Sequence, residues 1–362
     1  MNDFAAVIPV ESIDAQWLTK VFSKAGYLKD GEVTSVTKEP CGTGQLGDSF
    51  RFNLTYSVPL AGPSTIVGKF PSVDKTSREF GRDSGYYSNE IKFYNELEPH
   101  LSVEVAKVIH GAIADNQTDF ILLMEDLAPA RGVDQLKGCT ADEAALVMEQ
   151  AAAFHAGSWG NPEWLNISEW QKGVLTIYDN VTDSFGEIIK NFPEIAGDLV
   201  PEADLAEASK LIPYADVWKR VFNDPQCLWH SDLRADNVLF DAQDGKRPVV
   251  VLDWQGLAFG RGTMDIALYI GTSMTTEDRR AHERDLVTHY HNAMKAYGVT
   301  DYDAEQCWND YRMHSIYGLQ VGTFGFGAVK RTARGDEMWK SWIERTAAQV
   351  RDLDGYSVLK AF

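Results

Sequence analysis

Two neighbouring segments in the second half of the chain hold the side-chain types that phosphoryl transfer needs. The first, Leu228-Trp-His-Ser-Asp-Leu-Arg-Ala-Asp-Asn-Val-Leu-Phe240, contains His230-x-Asp232 with Asn237 five residues later. The second, Val249-Val-Val-Leu252, delivers Asp253 at the end of an apolar run. In such chemistry one carboxylate orients an incoming hydroxyl and accepts its proton, while two oxygen ligands hold Mg²⁺ on nucleotide phosphates. A lone Asp or Asn near a strand end is usually a turn-former. Here residue type, spacing and flanking apolar runs agree at once. Asp241 to Pro248, with Asp-Gly in its middle, reads as a hairpin loop that returns Asn237 and Asp253 to one end of a sheet.

A second group lies earlier. Gly42-x-Gly44-x-x-Gly47 is a weak signal alone, because two kinds of nucleotide site use it. In a dinucleotide-binding fold it opens a helix and an acidic residue follows about 20 positions on. Here a strand follows, and the later region holds Gly68 and Lys69 with no acid until Asp74. A glycine loop joining two strands fits a flap over nucleotide phosphates, with a plain glycine hairpin as the bland alternative. Lys69, between Val67-Gly68 and Phe70, needs an anionic partner if it lies against a core face. Glu90 borders the apolar stripe of a predicted helix and is the obvious candidate to pair with it.

The elements that must position these groups can be traced from periodicity. Asp14 caps a helix with apolar positions Trp17, Leu18, Val21 and Phe22, and Gly26 stops it. Val33 to Val36 reads as extended. Phe50 to Val58 alternates apolar and polar residues strictly, the period of a half-buried strand, and Thr65 to Phe70 returns after a turn over Pro59 to Pro63. From Ser84 to Leu97 the period becomes helical through Tyr87, Ile91, Tyr94 and Leu97. Phe120 to Met124 reads as a buried strand. Thr140 and Glu143 form a capping box that opens a helix through Leu146, Val147, Phe154 and His155. Residues 161–226 show patchy helical periodicity and many aromatics, which either pack or wall an acceptor pocket. From Asp265 onward the pattern is largely helical. The best boundary falls at Glu125 to Ala130.

Composition narrows the classes further. The 362 residues are 44% hydrophobic and 24% charged, which excludes a disordered or collagen-like chain and suggests two domains or two lobes sharing a cleft. Through Asp126 there are 11 basic and 18 acidic residues, and beyond it 23 and 35, for a net charge of −19. Neither part is basic, so no nucleic-acid or anionic-membrane partner is expected. The four cysteines (Cys41, Cys139, Cys227, Cys307) make no C-x-x-C pair, so reduced thiols and a cytoplasmic location are expected. No stretch reads as a signal peptide or a membrane span. His282, His289 and His291, with Glu283 and Asp285, read as a solvated helix face rather than a metal site. His155 reads as a core histidine.

Together these motifs resemble the aminoglycoside phosphotransferase and choline kinase superfamily, of protein-kinase-like fold. Within it the ecdysteroid-kinase-like branch is nearest, judging from the glycine loop, Glu90-Ile-Lys-Phe-Tyr94 and Leu123-Met-Glu-Asp-Leu127. The resemblance runs from about Val33 to Ile270. It implies an α+β, two-lobed fold: a small β-rich N-lobe (1–126) with the sheet, glycine loop and one embedded helix, and a larger, mostly helical C-lobe (127–362). It implies that Asp232 is the catalytic base, that Asn237 and Asp253 are magnesium ligands, and that Gly42, Gly44, Gly47 and Lys69, with Glu90, serve the ATP phosphates. Backbone groups of Glu125 and Leu127 would meet adenine. His230 would buttress the catalytic loop and Asp265 hold its surroundings. Arg234 stands where protein kinases carry a catalytic-loop lysine, and either reaches the transferred phosphate or faces solvent. Ser231 replaces the usual Gly, and Asp253 is followed by Trp-Gln, as in small-molecule kinases. The expected activity is transfer of the ATP γ-phosphate, with Mg²⁺, to a hydroxyl of a small-molecule acceptor by a monomer or weak homodimer. A catalytically weak nucleotide-binding pseudokinase and a nicotinamide-dependent oxidoreductase are the alternatives.

Overall fold

The computed structural model describes residues 6–42, 46–165, 172–328 and 332–362. Its contacts separate two compact units. The first comprises Met1–His100, Val105–Pro129 and, from far along the chain, Asp253–Gln255. The second comprises Leu101–Glu104, Ala130–Leu252 and Gly256–Phe362.

The first unit is a five-stranded antiparallel sheet in the order β1-β2-β3-β5-β4. Its strands are β1 (Val33–Pro40), β2 (Gly47–Tyr56), β3 (Thr65–Pro71), β4 (Val108–Ile113) and β5 (Phe120–Glu125). The helix Ala15–Ala25 starts where the Asp14 carboxylate accepts from the Trp17 N–H at 2.8 Å, and ends at Gly26 with φ 73°. Its apolar stripe joins one sheet face, where Leu18, Phe22, Phe52, Ile66, Ile121 and Leu123 are buried together. The strict alternation of β2 thus reports a real inside and outside. One helix and one strand of this unit escaped the sequence reading. The helix Lys75–Asp83 buries only Gly81, so it has no apolar stripe to detect. β4 contains His110 and Gly111, which interrupt its apolar run. The predicted helix over 84–97 begins at Tyr86, is α-helical to Lys92 and continues as a wider π turn over Phe93–Leu97.

The second unit is mostly helical. The helix Ala141–Ser158 carries the expected capping box, in which the Thr140 hydroxyl accepts from the Glu143 N–H and the Glu143 carboxylate accepts from the Thr140 N–H. The helix Thr263–Ser273 is buried at all of its residues and packs against the helix Ala304–Ala328. Two short antiparallel ladders complete the unit. β6 (Cys227–Trp229) pairs with β9 (Ala258–Gly260), and β7 (Val238–Asp241) pairs with β8 (Arg247–Val251). The β7–β8 hairpin matches expectation, but its connection is a short helical turn with Asp241, Gln243 and Asp244 at positive φ.

One expectation fails. The histidine-bearing face of the helix Thr276–Ala296 is not uniformly solvated: His291 and Glu283 are buried. His291 Nε2 lies 2.8 Å from the Tyr302 carbonyl oxygen, and Glu283 accepts from the buried Arg279 guanidinium at 2.8 Å. The interior helix Ala304–Ala328 covers that side, which single-helix periodicity cannot foresee. All four cysteines are free thiols, and three of them are buried. No described helix is long and apolar enough to cross a membrane.

Candidate active site

In the first unit the site is built around one lysine. Lys69 sits on β3, opposite Ser49 of β2 and Leu122 of β5, which directs it from the middle of the sheet. Its ammonium lies 2.7 Å from Glu90 Oε2 and 2.7 Å from Asp253 Oδ1. Glu90 is 2% exposed on the helix Tyr86–Lys92. Burial opposes the Lys69 charge, yet Asp253 and Glu90 outweigh it and raise its pKa. Burial also pushes the Glu90 carboxyl upward, against the pull of Lys69. An ammonium held between two carboxylates keeps its proton.

Asp253 is held on its other side too. The Gln255 amide donates to Asp253 Oδ2 at 3.2 Å. Trp254 stacks on Phe93 with centroids 3.9 Å apart and planes 7° from parallel. Asp253 itself adopts φ 63°, in the left-handed region. Sequence reasoning had placed Asp253 at a strand end but gave Gln255 and Trp254 no part in holding it.

The glycine turn is anchored by the same helix, since Tyr87 Oη donates to the Leu46 carbonyl at 2.6 Å. Gly42 has φ 77°, and a Cβ at Gly47 would lie 2.9 Å from the Phe70 carbonyl oxygen. β2 and β3 approach too closely there for any side chain. Gly44 lies outside the described residues. At the end of β5, Arg51 pairs with Asp126 at 2.7 Å and the Ala128 N–H donates to the Asp126 carboxylate at 3.0 Å. Glu125 is tied to Lys107 by its N–H and its carboxylate, both at 2.9 Å. Between them, the Leu127 N–H has no partner among the described residues.

The second unit carries the loop after β6. His230 is fully buried. Its Nδ1 accepts from the Asp232 N–H at 3.3 Å, so its Nε2 carries the proton and donates to the Leu252 carbonyl at 2.9 Å. Asn237 donates from Nδ2 to the Asp232 carbonyl and to Asp232 Oδ2, both at 2.8 Å. That orientation leaves Asn237 Oδ1 without a hydrogen bond among the described residues, as a free oxygen donor. Arg234 donates from Nε to both Asp232 oxygens at 3.1 and 3.3 Å and also pairs with Asp236. Arg234 therefore turns inward onto Asp232, with only 22% of its side chain exposed.

A buried carboxylate fixes this loop. Asp265, with no exposed surface, accepts from the His230 N–H at 2.8 Å, the Ser231 N–H at 3.0 Å and His155 Nε2 at 3.2 Å. His155 in turn accepts on Nδ1 from Tyr290 Oη at 2.9 Å, and burial lowers its pKa. It is the core histidine expected, and it also holds Asp265. Tyr317 Oη donates to the Ser231 carbonyl at 2.6 Å. With its one proton so used, Tyr317 accepts from Tyr178 Oη at 2.8 Å. Sequence reasoning missed Tyr317 and Tyr178, because an aromatic on an interior helix gives the same signal whether or not its hydroxyl has a task.

Among the described residues no cluster of three or more His, Cys, Asp or Glu side chains is placed to hold a metal by itself. Within the second unit Asn237 Oδ1 is a hard oxygen donor, and within the first so is the Asp253 carboxylate.

A five-stranded antiparallel sheet in one unit and a mostly helical second unit define a protein-kinase-like fold. The chain belongs to the ecdysteroid kinase-like family, whose sequence model matches residues 59–298. A kinase-like protein of Caenorhabditis elegans, itself uncharacterised, is 29% identical over 242 residues. That match spans 63% of this chain and 62% of the relative, under two thirds of its length. Among solved structures, choline kinase from Cryptosporidium parvum superposes with a TM-score of 0.53 at 11% identity, covering 89% of this chain and 91% of that one. Ethanolamine kinase from Plasmodium vivax gives 0.52 at 11%, covering 88% and 82%. A microcompartment-associated aminopropanol kinase gives 0.52 at 13%, covering 94% and 97%. At these identities the likeness is one of fold.

Proposed function

We propose that this protein transfers the γ-phosphate of ATP to a hydroxyl of a small molecule, with residues 1–126 supplying the sheet, glycine loop and lysine that cover the nucleotide and residues 127–362 the catalytic loop, metal ligands and acceptor pocket. The observation that carries the reading is the Lys69 ammonium held 2.7 Å from both Glu90 and Asp253. A cation so placed is built to exchange a carboxylate for phosphate oxygens. The family match and the small-molecule kinases of the same fold support it.

In this reading Lys69 contacts the phosphates, Glu90 keeps it aimed, and Gly42, Gly44 and Gly47 let the β1–β2 turn approach them. Glu125 and Leu127 offer backbone groups to adenine. Asn237 and Asp253 would hold Mg²⁺, which neutralises charge on the phosphates. Asp232 orients the acceptor hydroxyl. The acceptor oxygen forms a bond to the γ-phosphorus, the bond to the β–γ bridging oxygen breaks, ADP leaves, and the hydroxyl proton passes to Asp232. Arg234, bound to both Asp232 oxygens, fixes that carboxylate and lies beside the developing charge.

The test is ADP release from Mg-ATP against a panel of alcohols, sterols, amino alcohols and aminoglycosides. Asp232→Ala lowers turnover by ~10²–10⁴-fold and leaves nucleotide affinity nearly intact. Turnover equal to wild type in that variant removes Asp232 from its role.

A further inference from the structure

Ser231 occupies an unusual position. It has φ 71°, in the left-handed region where an L side chain crowds its own carbonyl and glycine is favoured. It is also 3% exposed, so its hydroxyl has no water to fall back on. A serine tolerated by accident at such a place would leave strain and an unpaired hydroxyl together.

Instead, every polar group of Ser231 has a partner on a different element. Its N–H donates to Asp265 Oδ1 at 3.0 Å, on the helix Thr263–Ser273. Its carbonyl accepts from Tyr317 Oη at 2.6 Å, on the helix Ala304–Ala328. Its Oγ donates to the Gly256 carbonyl at 2.7 Å, just before β9. The third contact is reciprocal in shape. A Cβ built on Gly256 would lie 2.5 Å from Ser231 Oγ, while its next neighbour, the His230 carbonyl oxygen, would be 3.5 Å away. Ser231 Oγ therefore fills the space that glycine leaves at 256, and among the described residues it is the one close obstacle to a side chain there.

We propose that Ser231 and Gly256 form an interlocking pair, and that Ser231 is a positioning residue that fixes the peptide between His230 and Asp232 and so the aim of the Asp232 carboxylate. The inference deepens the phosphotransferase reading and rests on it. Three anchors on three elements leave that peptide no freedom to rotate. A glycine at 231 would relieve the strain but release one anchor.

Two single variants and their double separate this from independent structural roles. The readout is ADP release from Mg-ATP with water as acceptor, with Asp232→Asn as blank, alongside the thermal unfolding midpoint. Ser231→Gly is expected to lower kcat about 5–20-fold and to leave KM for Mg-ATP within about twofold, because the base is misaimed while the nucleotide groups are untouched. Gly256→Ala is expected to lower kcat by more than about 50-fold or to depress the midpoint. Ser231→Gly/Gly256→Ala is expected to return to the level of Ser231→Gly alone, because the obstructing oxygen is gone. Recovery in either turnover or midpoint supports the interlock. A double variant as impaired as Gly256→Ala, or worse, overturns it, as does a Ser231→Gly enzyme whose loss lies in KM. If Asp232→Asn instead matches wild type, the phosphotransferase reading is what has failed.

Discussion

Asp265→Asn is the sharpest perturbation the structure offers, because it changes one atom and little volume. The wild-type carboxylate has no exposed surface and receives three donors, His230 N–H, Ser231 N–H and His155 Nε2. Two of these share Oδ2 and one uses Oδ1. An amide can set its oxygen at the shared place and keep both of those bonds, but its NH₂ then faces the Ser231 N–H. One hydrogen bond to a charged acceptor, ~1.5–3 kcal/mol, is lost, and a buried N–H is orphaned. The two surviving bonds fall from charge-assisted to neutral, roughly 1 kcal/mol each. The sum is about 3–5 kcal/mol, a range reserved for broken buried networks. Urea unfolding at neutral pH, followed by the fluorescence of the ten tryptophans, measures it directly. A loss below about 1 kcal/mol would falsify the claim that this carboxylate holds the loop.

Lys69→Met removes the cation from between two carboxylates and strands buried Glu90, costing about 3–5 kcal/mol in unfolding free energy. Adding Glu90→Gln recovers much of that stability. By contrast, Mg-ATP affinity, weakened ~10–100-fold by the first change, stays low, and equilibrium titration of both variants separates the two effects. His314 predicts a pH dependence. It is fully buried against Thr263 Oγ1 at 2.6 Å, and burial, then Arg261, hold its pKa well below the usual histidine value. The unfolded chain takes up this proton near pH 6.5 while the folded chain does not. Its contribution is complete above that pH and declines by up to ~1.4 kcal/mol per unit below it. Urea midpoints from pH 7.5 to 5.5 should fall in the wild type and fall less steeply in His314→Gln. Equal slopes would contradict the assignment.

What the sequence disclosed follows from how local each signal is. His230, Asp232 and Asn237 lie within one loop, so their spacing is nearly their geometry. Lys69 and Glu90 were legible through a different argument: a lysine against a sheet core must find an anion. The contact between Lys69 and Asp253 bridges 184 residues, and no periodicity encodes it. β6 and β9 are three residues each, too short for alternation to register. His155, Tyr317 and Tyr178 sit on helices whose apolar stripes look the same with or without their hydrogen bonds. The two-lobed α+β fold was readable because the change from period two to period 3.6 falls between whole segments rather than within them.

Lys69 already wears its own counter-ions. Any polyphosphate that claims Lys69 must displace a carboxylate or bring positive charge to satisfy it, and Asp253 is the more exposed of the two, at 28% against 3% for Glu90. In the proposed reaction a bare triphosphate would meet that carboxylate as a repelling neighbour, whereas the same anion escorted by a divalent cation would meet it as a ligand. In that reaction, discrimination between chelated and naked nucleotide would thus follow from the carboxylates that flank Lys69, before any acceptor arrives.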